Sequence, residues 1–356
     1  MEIRKEMEIN STTTRSNSHK RLVWIDVVKV IAIFLVLWGH FVMYSGPEFL
    51  VNPVYHFIMS FHMPLFMVMS GFFANKLVDR RLKVVLVSKF LQLILPALVF
   101  SIPLWLLNRY FLQTQVSIWH ALYYCFWFLK SLFVSICLFY AGFKVFKRSW
   151  VGLLVVVVIS QWLDFIPHLR FLQLGRLFPC FVLGYVLNNY KELFFKYAKV
   201  IAPVCTVGFV LLLSKYDEET IALSASLSTY YSLGGGRMWL LLFYKLLIGI
   251  VGSLGVMSII YILCSKLNGN KMLELLARGG RYTLAIYILQ SFLVESLLRH
   301  LLSYTTLACS WSYSVVYAPC FSLIGVVLCL LIYALLEKIR LYWVFDFNHC
   351  PIRLWK

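Results

Sequence analysis

The stretch DVVKVIAIFLVLWGH, residues 26–40, decides the fold class. It lies in the first long apolar segment of the chain, yet it carries Asp26, Lys29 and His40. On an α-helix each residue advances about 100° and about 1.5 Å. Lys29 therefore neighbours Asp26 on one face. His40 returns close to that face about 16 Å further along. The remaining surface is Val, Ile, Leu, Phe and Trp. The spacing predicts a helix with an ion pair near one membrane surface and an imidazole near the other, both turned inward.

Composition supports a membrane setting. Of 356 residues, 61% are hydrophobic and 13% charged, against roughly 45–50% and about 25% in soluble domains. The fold class expected is all-α: a polytopic integral membrane protein embedded in a lipid bilayer. The net charge of +18 raises the question of nucleic acid. No basic, aromatic-interleaved soluble domain is present to bind it, so no nucleic-acid partner is expected. Nine cysteines are scattered without a Cys-x-x-Cys pair. That pattern is neither a disulfide framework nor a metal site, and no metal is expected.

Ten segments are long enough to span a bilayer: 22–44, 54–75, 84–107, 118–141, 149–166, 171–189, 198–214, 238–263, 282–303 and 315–336. Their basic flanks alternate. One set of connections and both tails carry twenty-three Lys and Arg, whereas the opposite set carries five: Arg109, Arg170, Lys215, Arg237 and Arg299. The positive-inside rule then places both termini in the cytoplasm. The domain reading is a polar tail over 1–20, a ten-helix membrane unit over 21–340 and a cytoplasmic tail over 341–356. No internal repeat of the kind that builds two-half transporters is visible.

Orientation gives depth to the polar residues. Asp26 and Lys29 fall near the cytoplasmic side and His40 near the outer side. A charge at the centre of a span costs about 2.5–3.5 kcal/mol on insertion scales, so such residues are functional candidates by default. A structural ion pair is the competing reading for Asp26 and Lys29, and a satisfied interfacial imidazole for His40. The second segment contains YHFIMSFHMPLFMVMSGFF, residues 55–73. It places His56 at the outer rim and His62 deeper, two residues before Pro64. Ser70 and Gly71 come next, towards the cytoplasmic side, where glycine admits a closely approaching helix or ligand.

These residues carry a resemblance. Asp26-Val-Val-Lys29 with His40, followed by FHMPLFMVMSGFF, resembles the membrane-bound acyltransferase-3 family. LQLILP (91–96), WFL (127–129), FPCFVLGYVL (178–187) and RGGRYTLAIYILQ (278–290) match it in order. The resemblance implies ten core helices in a bacterial inner (cytoplasmic) membrane. It implies transfer of an acyl group, commonly acetyl, from cytoplasmic acyl-CoA to a hydroxyl of a surface carbohydrate or lipid-linked sugar. The family's Arg, ten residues, His pattern falls on Lys29 and His40; Lys29 keeps the charge but lacks the planar fork that grips phosphate. A family Arg-x-x-Arg pair would fall near Lys89 and Gln92 with a register shift. Gln290 stands where many relatives have His.

A sugar hydroxyl needs a base to accept its proton as it attacks a thioester, and His40 is the expected general base. The oxyanion that follows needs donors; His56, His62 and Ser70 are the candidates for oxyanion or acceptor contacts. Coenzyme phosphates need cations at the cytoplasmic mouth. Lys29, positioned by Asp26, and Lys89 are expected there, with Arg80 and Arg81 at the entrance. The 16 Å between Lys29 and His40 is similar to the reach of an extended pantetheine arm. Glu295 and Arg299, four residues apart, are expected to pair with each other or to line an acceptor cavity, while Asp164, Arg176, Lys130 and Lys245 need partners of their own. The alternative reading is a transporter or flippase for a glycolipid or small polar substrate. A homo-oligomer stays open.

Overall fold

The computed structural model describes residues 22–44, 46–146, 149–225, 235–267, 269–298 and 311–351, and every regular element among them is helical. The principal helices are α1 (Val23–Met43), α2 (Pro53–Phe72), α3 (Leu82–Phe111), α4 (Trp127–Val145), α5 (Trp150–Leu163), α6 (Leu174–Asn189), α7 (Lys191–Leu213), α8 (Gly235–Lys266), α9 (Lys271–Gly279), α10 (Thr283–Gln290) and α11 (Ala318–Lys338). Each of the ten expected segments is helical over most of its described length. Seven helices among the described residues are long and apolar enough to cross a membrane by length and composition. Of the remaining three segments, α5 is 14 residues long, α10 is continued by a π-helical stretch, Ser291–Leu298, and α2 is a 20-residue helix that also holds His56 and His62.

The run 118–141 differs from the expectation of one continuous segment. A short helix, Ile118–Tyr124, ends, Phe126 takes a left-handed conformation with φ of 53°, and α4 starts at Trp127. Hydropathy misses this break because both sides of it are apolar. Lys130 explains it: its ammonium donates to the carbonyls of Leu122, Tyr123 and Cys125 at 2.7, 2.8 and 2.7 Å. A helix end leaves carbonyls without intrahelical partners, and a cation gathered there satisfies them. The partner that a charge in an apolar segment requires is thus the end of the preceding helix.

Helix α2 organises the bundle. Asn52 caps it by accepting from the backbone N–H groups of Val54 and Tyr55, with Pro53 in the first turn, where no N–H is needed. It packs against α1, α6 and α8. Its approach to α6 is backbone to backbone: a Cβ on Gly71 would stand 1.8 Å from the Phe181 carbonyl oxygen, and one on Gly184 would stand 1.9 Å from the Val68 carbonyl oxygen. Gly71 of the Ser-Gly pair therefore serves helix packing. Small residues that let backbones approach are the usual means of association in a medium as apolar as the side chains.

At the far end of α1, Trp38 donates to the Ser314 carbonyl at 2.8 Å and Asn52 donates to the Ser314 hydroxyl at 2.7 Å. α1, α2 and the π-helical stretch Tyr313–Tyr317 that leads into α11 are joined there. At the other end, the segment after α11 folds back on α3. Phe345 is buried and stacks on Phe100 with centroids 5.2 Å apart, and Asn348 donates to the Ser88 carbonyl.

The glycine contact is open to test. Gly184→Ala should destabilise the fold by about 1–3 kcal/mol, because the new methyl meets backbone that cannot turn aside. Gly236→Ala, with nothing within 4 Å of its Cβ, should leave stability unchanged or slightly higher. Thermal unfolding in detergent with a tryptophan-fluorescence readout checks both.

Candidate functional site

Two cavities lie end to end in the bundle. The first, of about 310 Å³, is lined by Lys29, Ser70, Phe73, Lys89 and Gln92. The second, of about 420 Å³, is lined by His40, His62, Gln173, Arg176, Lys245 and Glu295. Met63 and Tyr287 belong to the walls of both. The two ends of the 26–40 stretch therefore open into different chambers that share a boundary.

At the first cavity, Lys29 lies 3.3 Å from Asp26, as helical spacing required, and its ammonium sits over the Phe73 ring at 5.1 Å. Lys89 donates to Gln92 at 2.6 Å, and Gln92 donates to Asp346 at 3.2 Å. A π-helical stretch, Phe90–Ile94, interrupts α3 at this point. Ser70 lines the chamber, but its hydroxyl donates back to the Phe66 carbonyl at 2.8 Å. Arg80 and Arg81 occupy the turn before α3 and line neither chamber. Arg80 is half-buried, with its carbonyl accepting from the Tyr140 hydroxyl, and Arg81 is exposed.

At the second cavity, His40 Nε2 faces Glu295 Oε1 at 3.3 Å. A carboxylate only accepts, so a hydrogen bond across this contact requires the proton on Nε2, which leaves the lone pair of a neutral ring on Nδ1. Nδ1 is covered by protein and has no hydrogen-bond partner. The same Glu295 oxygen accepts from Gln290 at 2.6 Å and from the Ser291 hydroxyl at 3.0 Å. Two donors thus hold the carboxylate beside the imidazole.

The expected pairing of Glu295 with Arg299 falls on Arg299, which lies outside the described residues; among those described, the carboxylate accepts from Gln290 and Ser291 and lies beside His40. Residues 291–298 are π-helical, with i to i+5 bonding. That register brings Gln290 alongside Glu295. The signal available in the sequence was an acid inside an apolar segment; the partner came from α1, some 255 positions away, which no spacing rule reaches.

The other histidines part company. His62 is buried and lines the second cavity, with Nδ1 donating to the Ile58 carbonyl at 2.8 Å. A carbonyl cannot donate, so neutral His62 carries its proton on Nδ1 and offers only a lone pair at Nε2. In that form it is an acceptor towards the cavity and cannot donate to an oxyanion. His56 sits against the Leu50 carbonyl at 2.5 Å and edge-on to Tyr216, and lines neither cavity. No cluster of metal-ligating side chains occurs among the described residues.

Two buried cations belong to the second cavity. Arg176 stands in the first turn of α6, whose start is fixed from α5: Asp164 accepts from the Gly175 N–H at 3.0 Å, and Gln161 donates to the Gly175 carbonyl at 2.7 Å. Lys245 comes from α8.

The acyltransferase-domain profile of the acyltransferase-3 family matches residues 22–334. The chain belongs to the acyltransferase-3 family. Both cavities and every residue of the site lie inside the matched region. Among curated proteins, the chain is 25% identical over 222 residues to the nodulation protein NolL of Mesorhizobium japonicum, covering 54% of this chain and 58% of that protein. It is 28% identical over 188 residues to NolL of Sinorhizobium fredii, covering 48% and 50%. The chain thus matches about half the length of these relatives. No solved structure matches.

Lys130 sits where the second cavity meets the short helix, since Tyr124, Cys125 and Phe126 line that wall. Lys130→Met should cost about 1.5–3 kcal/mol, because it strips a charged donor from three carbonyls. Hydrogen exchange should then rise at residues 118–126. Unchanged exchange there would contradict the capping role.

Proposed function

We propose that the protein is a membrane-bound O-acyltransferase. It would move an acyl group, acetyl in the simplest case, from cytoplasmic acyl-CoA to a hydroxyl of a cell-surface glycan or lipid-linked sugar. The observation that carries this reading is the pair of abutting cavities. A donor chamber with Lys29 and Lys89 and an acceptor chamber with His40 meet at Met63 and Tyr287. Family membership supports the acyl chemistry.

The topology that goes with it has ten membrane crossings and both termini in the cytoplasm of a bacterial inner membrane. The alternation of basic residues between successive connections supports it. The donor chamber then opens inward and the acceptor chamber outward. Phosphates of the coenzyme would meet Lys29 and Lys89, and Lys89 would exchange its contact with Gln92 for them. Asp26 restrains Lys29. The pantetheine arm would run along the α1–α2 side to the shared wall, so that the thioester reaches the acceptor chamber.

The chemistry there begins with an acceptor hydroxyl close to His40. As oxygen attacks the thioester carbonyl carbon, its proton passes to the imidazole. The imidazolium so formed faces the Glu295 carboxylate, and opposite charges at this range stabilise one another. Either the ring turns to present Nδ1, or the ring takes the Nδ1–H tautomer and the hydroxyl, entering between Nε2 and Glu295, gives its proton to Nε2; both routes end in an imidazolium paired with Glu295. The tetrahedral intermediate then collapses, the C–S bond breaks, and the thiolate recovers the proton. Glu295, Gln290 and Ser291 orient the base.

Purified protein in lipid nanodiscs, given radiolabelled acetyl-CoA, should turn it over. His40→Ala should lower that turnover by at least about a hundredfold, the low end of a general base's contribution, with an unchanged unfolding curve. Full activity in folded His40→Ala would refute the assignment. Lys29→Ala should raise KM for acetyl-CoA more than it lowers kcat, and Lys29→Arg should restore it. A transporter would show neither turnover nor this split.

A further inference from the structure

The acceptor chamber has two chemically opposite walls. One holds Glu295 beside His40. The other holds Arg176 and Lys245, which are only 7% and 3% exposed, yet line the cavity. Asp164 lies close enough to act on both cations electrostatically, and Arg170 on Lys245. Asp164 accepts from the Gly175 N–H through Oδ2 at the start of α6, and its Oδ1 is buried without a hydrogen-bond partner. Among the described residues Arg176 makes no ion pair, and its Nε is buried without a hydrogen-bond partner. Gln173 lines the same wall with its carbonyl oxygen buried and unpartnered.

Uncompensated buried charge is expensive, several kcal/mol per ion even after relaxation. Packing alone gives no reason to aim a guanidinium into a cavity in an apolar bundle. An anion placed there would satisfy it with charge-assisted hydrogen bonds, for which the planar fork of Arg suits both carboxylate and phosphate.

We propose that this wall is an anion subsite for the acceptor: the sugar that presents its hydroxyl to His40 carries a carboxylate or phosphate, held by Arg176 and Lys245. The inference rests on the acyltransferase reading and narrows its substrate class. The opposed walls also fix the pose. With the anion on Arg176 and Lys245, the hydroxyl end points to His40. Turned around, the anion would meet the Glu295 carboxylate and be repelled. Gln173 accepts from a further hydroxyl of the same sugar.

Calorimetry on the full chain in lipid nanodiscs tests this without depending on turnover. The probes are glucose, glucuronate and glucose 1-phosphate. At least one anionic sugar should bind about tenfold more tightly than glucose, a difference of about 1.4 kcal/mol. Glucuronate alone would identify a carboxylate-bearing acceptor, and glucose 1-phosphate alone a phosphate-bearing one. Arg176→Gln should abolish the preference and Arg176→Lys should keep part of it; Lys245→Met serves if the arginine variants do not fold. Equal binding of all three sugars by the wild-type protein would overturn the proposal. So would a preference that survives in folded Arg176→Gln or Lys245→Met. Turnover of acetyl-CoA, followed in parallel, reports separately on the acyltransferase reading, whose failure would leave the calorimetric result standing.

Discussion

Burying charge in an apolar bundle forces each polar group to face a partner, and α1 carries three such groups. Asp26 and Lys29 answer each other within one helical turn. His40 is answered by Glu295 from the π-helical continuation of α10. This constraint fixes the rotation of α1, because all three must turn inward together, and it fixes α10 against α1. The rest of the arrangement follows. Helix α2, locked to α6 through Gly71 and Gly184, supplies the floor of both cavities between Lys29 and His40. α6 in turn carries Arg176 into the chamber that His40 faces.

Departures from the α-helical register sit beside the polar groups. The π-helical stretch 90–94 follows Lys89 and contains Gln92, and the stretch 291–298 contains Glu295. A π-turn widens the helix and shifts side chains by one position relative to the α pattern, and such turns recur at functional sites. Here the shift brings Gln290 onto Glu295 beside the i−4 donor Ser291, giving the carboxylate two donors from its own helix, while His40 faces it from α1.

Much of this was legible in the sequence, for identifiable reasons. The apolar segments are dictated by length and hydropathy, and each of the ten is helical over most of its described length. The Asp26–Lys29 pair follows from a spacing of three, and the separation of the Lys29 and His40 ends from eleven residues of rise. The motifs of α1 and α2 were enough to suggest the family whose profile covers residues 22–334. What escaped was tertiary or non-α. The place of Glu295 beside His40 of α1 follows from no local spacing. The break at Phe126 was hidden in continuous apolarity and became visible only through the three carbonyls on Lys130. The return of Asp346 to Gln92, and of Phe345 to Phe100, joins residues about 250 apart that no local pattern connects. His62 looked like a donor until its bond to Ile58 fixed the proton on the other nitrogen.

The central claim is that a donor held at Lys29 delivers its thioester to His40 through the wall shared by the two cavities. Photo-crosslinking tests it most directly, using a non-hydrolysable acyl-CoA analogue with a diazirine on the acyl group and peptide mapping by mass spectrometry. The account predicts labelling at Met63, Tyr287 and the residues around His40, lost on competition with acetyl-CoA. Labelling confined to Phe73, Leu77 and the Lys89 end of the first cavity would contradict it.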